Sequence, residues 1–122
     1  MKFVQIILIT SGVINLLIAL TLLFAPQFFY NAFADFPPYN RHYMGDAGAF
    51  LLPLGIGLLI AARDPVKHRA LIGLAALGTV VHIGNHLYDD LFVERGATIH
   101  WLTNNVPLVL LAIALVIVYR KK

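Results

Sequence analysis

Cysteine is absent from this 122-residue chain. Disulfide frameworks, thiolate nucleophiles, Cys-ligated zinc and iron–sulfur clusters are thereby excluded. Charge is scarce as well. Asp, Glu, Lys and Arg together supply 12% of the residues, against about 25% in an average soluble domain. No glycine-rich phosphate loop occurs, and Ser11 and the few threonines have no base within predictable reach. No basic helix face interleaved with aromatics exists, so nucleic acid is not an expected partner. No low-complexity tract or internal repeat is evident, which gives no support to an inverted-repeat transporter. What is present is apolar: 60% of the residues are hydrophobic and the mean hydropathy is +0.81. That balance excludes a disordered chain and points away from a soluble enzyme, toward lipid. The length allows one domain, 1–122.

A helix needs roughly 20 apolar residues to cross a bilayer core of about 30 Å. Four stretches meet that requirement, over about 3–25, 45–62, 70–88 and 101–119. Their continuous apolar character suits helices, since transmembrane strands alternate apolar and polar residues over short segments. The first stretch is too long for the apolar region of a signal peptide, and Ala25-Pro26 is a poor cleavage site; it reads as a retained signal anchor. The expected fold class is therefore all-α, an integral membrane four-helix transmembrane bundle.

Basic residues set the expected orientation. Lys2, Arg63, Lys67, Arg69, Arg120, Lys121 and Lys122 are seven of the nine, and all would flank the same side. The other side would hold Arg41 and Arg95 with Asp35, Asp46, Asp89, Asp90 and Glu94. Lys and Arg concentrate in short cytoplasmic segments, so both termini are expected inside (N-in/C-in), in a bacterial inner (plasma) membrane. The connection over 26–44 carries Phe28, Phe29, Tyr30, Phe33, Phe36, Tyr39 and Tyr43. Such rings favour the headgroup layer. A short interfacial amphipathic helix is expected over Pro26–Phe33, with Pro26 in its first turn and Pro37-Pro38 breaking the chain beyond it. The aromatics form an interfacial belt or, alternatively, a lid over a lipid-accessible pocket.

Polar residues inside membrane helices are expensive and mark sites or inter-helix contacts. The third span carries Thr79, His82, Asn85, His86 and Asp89 at spacings of three and four, which share one helical face. Asn15 on the first span, Asp46 at the start of the second, and His100 and Asn104 on the fourth are expected partners. Together these residues would form an outward-opening polar pocket closed toward the inside.

Three ligand classes fit such a pocket. His82 and His86, with Asp89, could hold a divalent metal, although Ile83 stands where a zincin would carry its glutamate. A bis-His haem would need His100, because His82 and His86 point the same way. A quinone or lipid-like molecule could hydrogen-bond to His or Asn under the aromatic loop. The competing reading is structural: the polar residues only join helices, each bond contributing about 0.6–2 kcal/mol. Gly45, Ala49, Pro53 and Gly57 form a small-residue line suited to close helix contact, within the bundle or in a homo-oligomer. Pro53 is expected to kink the second span.

Four short spans and a Gly/Ala-rich second helix ending Leu58-Leu59-Ile60-Ala61-Ala62-Arg63 resemble the small DoxX-like membrane proteins, over about 44–119. Some of these are small subunits of quinone-linked oxidoreductases. The resemblance implies an accessory redox role beside a membrane oxidoreductase. It carries over no catalytic residue, since Asn85-His86 and Asp89-Asp90 match no motif of an established site.

Overall fold

The computed structural model describes residues 2–33, 38–93 and 105–120. Their architecture is all-α, with five helices. These are α1 (Lys2–Phe24), α2 (Pro26–Phe33), α3 (Arg41–Arg63), α4 (Arg69–Tyr88) and α5 (Val106–Arg120). A π-helical turn over Asp89–Val93 continues α4. Three helical stretches, Lys2–Phe24, Arg41–Arg63 and Arg69–Val93, are long and apolar enough to cross a membrane. That is the signature of an integral membrane protein. The apolar helix α5 has 15 residues. The expected fourth span began at 101, and 101–104 lie outside the described residues.

Helix ends follow local chemistry. Pro26 has no N–H to continue α1, and it starts α2 after the single residue Ala25. Asn40, in extended backbone, caps α3 by accepting from the Tyr43 N–H at 3.1 Å. Pro53 lies inside α3, and the helix runs on through it to Arg63. Its lost hydrogen bond is tolerable where neighbouring groups take up the freed carbonyl.

The chain divides into two compact units, Met1–Asp64 and Pro65–Lys122. In the first, α1 and α3 pair antiparallel along a seam of small residues. Leu8, Ser11, Gly12, Asn15, Ala19 and Leu22 are buried on α1, and Met44, Gly48, Gly55, Leu58, Ala61 and Ala62 on α3. Three cross-helix pairs mark the register. Gln5 Nε2 donates to the Ala62 carbonyl at 3.2 Å. Gly12 faces Gly55 so closely that a Cβ on either would stand 3.0 Å from the other's carbonyl oxygen. A Cβ on Gly48 would stand 2.9 Å from the Ala19 carbonyl oxygen. Residues 5, 12 and 19 on α1 thus meet 62, 55 and 48 on α3, in steps of seven on both helices. A seven-residue repeat is the signature of left-handed helix pairing. With lipid as solvent, such close backbone approach supplies the van der Waals contact that holds helices together.

This seam differs from the line of small residues expected to make the contact. Gly45 and Gly57 have open space where a Cβ would stand, and Ala49 and Pro53 are exposed. Both lines consist of small residues. Only 48, 55 and 62 share the seven-residue step of Gln5, Gly12 and Ala19, so that line is the one that packs.

The second unit is the pairing of α4 with α5. Ile72, Ala75, Ala76 and Thr79 are buried on α4, and Ala112, Leu115 and Val118 on α5. At one end the Arg69 guanidinium lies 4.9 Å from the centroid of the Tyr119 ring. Gly73 makes room for that ring, since a Cβ there would stand 2.9 Å from Cε2. At the other end Asn105, buried just before α5, donates to the Asp90 carboxylate.

Candidate functional site

The polar stripe of α4 lies beyond its buried apolar segment. Thr79 ends that segment and is itself buried, its hydroxyl donating to the Ala75 carbonyl at 2.8 Å. His82 and Asn85 are exposed, and His86, Asp89 and Asp90 are half-buried. The helical spacing of four pairs these groups with each other. His82 Nε2 and His86 Nε2 lie 2.9 Å apart. Their rings are nearly parallel, at 26°, with centroids 4.7 Å apart. Asn85 Nδ2 donates to Asp89 Oδ2 at 3.2 Å. Two turns of helix thus carry a histidine pair beside an amide–carboxylate pair. The Asp89 N–H reaches the carbonyls of both Asn85 and His86 where the α-helix gives way to the π turn.

The other expected site residues are distributed differently. Asn15 is buried in the α1/α3 seam, and its amide donates to the Ser11 carbonyl of its own helix at 2.8 Å. That bond satisfies the amide locally, so it does not join α1 to α3. Asp46 is exposed near the start of α3, 3.5 Å from His42 Nε2. Within the first unit, then, Asn15 and Asp46 occupy different surroundings: a dry seam and an open helix end. His100 and Asn104 lie outside the described residues. Two groups beyond the expected set enter the picture, Asp90 and Asn105. Asp90 sits eleven residues beyond Thr79, three helical turns along, and so returns to the α5-facing side.

Among the described residues every buried side-chain nitrogen or oxygen has a hydrogen-bond partner. Among them, too, no three His, Asp or Glu side chains gather as a metal site. Asp89 belongs to Asn85, and the histidines face each other. The first unit also holds a concave feature of another kind. An open groove of about 270 Å³ lies between α1 and α2, lined by Leu17, Ile18, Thr21, Phe28, Phe29 and Phe33. The Thr21 hydroxyl is turned back to the Leu17 carbonyl at 2.7 Å, leaving an apolar wall. On the opposite side of α2, Gln27 donates to Asn31 at 3.0 Å. The helix expected over 26–33 is therefore present with one apolar and one polar face.

The chain matches no protein-family model, and no curated protein or solved structure is significantly similar to it.

Proposed function

We propose that this chain is a four-span membrane protein, with both termini cytoplasmic, that binds a small ligand or a redox partner through the polar turn of α4. The observation that carries the reading is the pair of side-by-side contacts, His82–His86 and Asn85–Asp89. Four polar side chains on two successive turns of a membrane helix are costly to place in lipid. Their cost is offset where they meet water, a ligand or a partner. His82 and His86 supply imidazole nitrogens that accept or donate, Asn85 supplies an amide, and Asp89 a carboxylate that can take a proton. In this reading the turn lies in the outer half of the bilayer. The DoxX-like resemblance would make the partner a quinone-linked membrane oxidoreductase.

The second reading, a structural subunit, is favoured by the Asp90–Asn105 bond, which joins α4 to α5 without any ligand. One experiment separates the two. The chain is purified in mild detergent, and its bound components are recorded by optical spectrum, elemental analysis and mass spectrometry. With a functional turn, His86→Ala loses a bound quinone, haem, metal or partner while the helices remain folded. With a structural turn, His86→Ala lowers the melting temperature and leaves the bound components unchanged.

A further inference from the structure

The two imidazoles of α4 approach each other at a distance that suits either an Nε2–H···Nε2 hydrogen bond or a shared cation. Their Nε2 atoms are 2.9 Å apart while the ring centroids are 4.7 Å apart. The rings therefore splay away from the nitrogens, which converge on one point outside the helix. Two Nε2 lone pairs at that separation repel unless an N–H or a cation lies between them. The separation also matches a chelate. Two imidazole nitrogens, each about 2.0–2.1 Å from one ion and at right angles about it, lie about 2.9 Å apart. At a tetrahedral angle they would lie about 3.4 Å apart. The pair as folded fits two neighbouring positions of a tetragonal or octahedral ion.

The surroundings narrow the ion further. Asp89 is held by Asn85 and Asp90 by Asn105, so the nearest carboxylates on the same helix are already engaged by amides. Among the described residues no third His, Asp or Glu side chain gathers with the pair, so the donors it presents are two imidazole nitrogens. That donor set disfavours Ca2+ and Mg2+, which take oxygen ligands. It favours late first-row divalent ions, in the order Cu2+ above Ni2+ and Zn2+. His82 is exposed and His86 half-buried, so the remaining positions are open to water or to a donor from a ligand.

We propose that His82 and His86 form a two-nitrogen chelate for a divalent transition-metal ion, with Cu2+ the preferred one and water completing its coordination. This rests on the reading of the α4 turn as a binding site and names what it takes. The test uses the untagged full chain in detergent, titrated with CuCl2 and followed by electron paramagnetic resonance and calorimetry.

One equivalent of Cu2+ is expected, with a tetragonal spectrum showing coupling to two imidazole nitrogens. MgCl2 and CaCl2 should give no heat of binding. His82→Ala and His86→Ala should each weaken Cu2+ binding by about 100-fold or more, and the double variant His42→Ala/His68→Ala should bind as the parent does. The His82→Gln/His86→Gln variant keeps polar side chains at both positions and should still lose the copper signal. Helicity by circular dichroism is recorded for every variant. Copper binding that survives both single alanine changes would overturn the proposal, as would no binding by the folded parent chain. If copper fails but His86→Ala still releases a co-purified quinone or partner, the chelate falls and the binding-site reading stands. If copper fails and His86→Ala changes only the melting temperature, both fall.

Discussion

At the scale of single residues, the polar groups of this chain differ in what surrounds them more than in what they are. Asn15, Asn85 and Asn105 are the same side chain in three situations. Asn15 is buried and bonded to its own helix, Asn85 is exposed and bonded to Asp89, and Asn105 is buried and bonded across to Asp90. Removing a partner from a buried polar group costs its full desolvation, about 1–3 kcal/mol. Breaking an exposed pair four residues apart on a helix costs about 0.2–0.5 kcal/mol. Asp90→Ala is therefore expected to lower thermal stability in detergent clearly, by leaving the Asn105 amide without its acceptor. Asp90→Asn should recover much of the loss, since an amide oxygen can also accept. Asn85→Ala should change the melting temperature little. Equal effects of Asp90→Ala and Asn85→Ala would show that the Asn105 contact contributes nothing beyond a surface pair.

At the scale of elements, the α1/α3 seam makes a sharper prediction, because glycines of one helix fall into two classes. A Cβ at Gly55 would stand 2.9 Å from the Leu16 backbone nitrogen, and one at Gly48 2.9 Å from the Ala19 carbonyl oxygen. Backbone atoms cannot move aside alone, so the helices must separate. Overpacking of this kind costs about 1–3 kcal/mol. At Gly45 and Gly57 an added methyl group meets nothing within 4 Å. There alanine removes backbone freedom from the unfolded chain and raises helix propensity by up to about 1 kcal/mol. Gly48→Ala and Gly55→Ala are expected to destabilise, while Gly45→Ala and Gly57→Ala are neutral or stabilising, as read by thermal unfolding in detergent. The opposite ranking would mean that α3 packs through its other small-residue line. Helix α2 adds a second element-scale feature. Its aromatic face closes on α1 around the groove, with Phe29 and Phe33 ring centroids 5.3 Å apart.

At the scale of the whole molecule, the asymmetry of charge predicts an orientation that can be tested directly. A reporter fused after Lys67 or after Lys122 should read cytoplasmic, and one fused after Glu94 should read external. The physical cause is the retention of Lys and Arg on the cytoplasmic side of short loops. An external reading after Lys67 would overturn the four-span, N-in/C-in arrangement. The Arg69–Tyr119 contact agrees with a common interface at one end of the second unit, because a guanidinium and a tyrosine ring both settle at a membrane boundary.

Helix positions were legible in the sequence because their causes are local. Length of the apolar run, Pro26 after α1 and the basic connection around Lys67 place the expected spans within a few residues of α1, α3 and α4. The helix over Pro26–Phe33 was legible for the same reason. The shared face of His82, Asn85, His86 and Asp89 also follows from 3.6 residues per turn, without any partner helix. Other features depend on a neighbour and so were decided only by tertiary structure. Gly48 and Gly55 pack, in place of Gly45 and Gly57, because the step of seven on α1 selects the step of seven on α3. Asn15 ended in a dry seam because that seam is where α1 meets α3. Asp90 and Asn105 met because α4 and α5 run side by side, with the ends that carry them at the same level. A helix's own sequence sets which residues share a face. Which face is covered is set by the shape of the helix that packs against it.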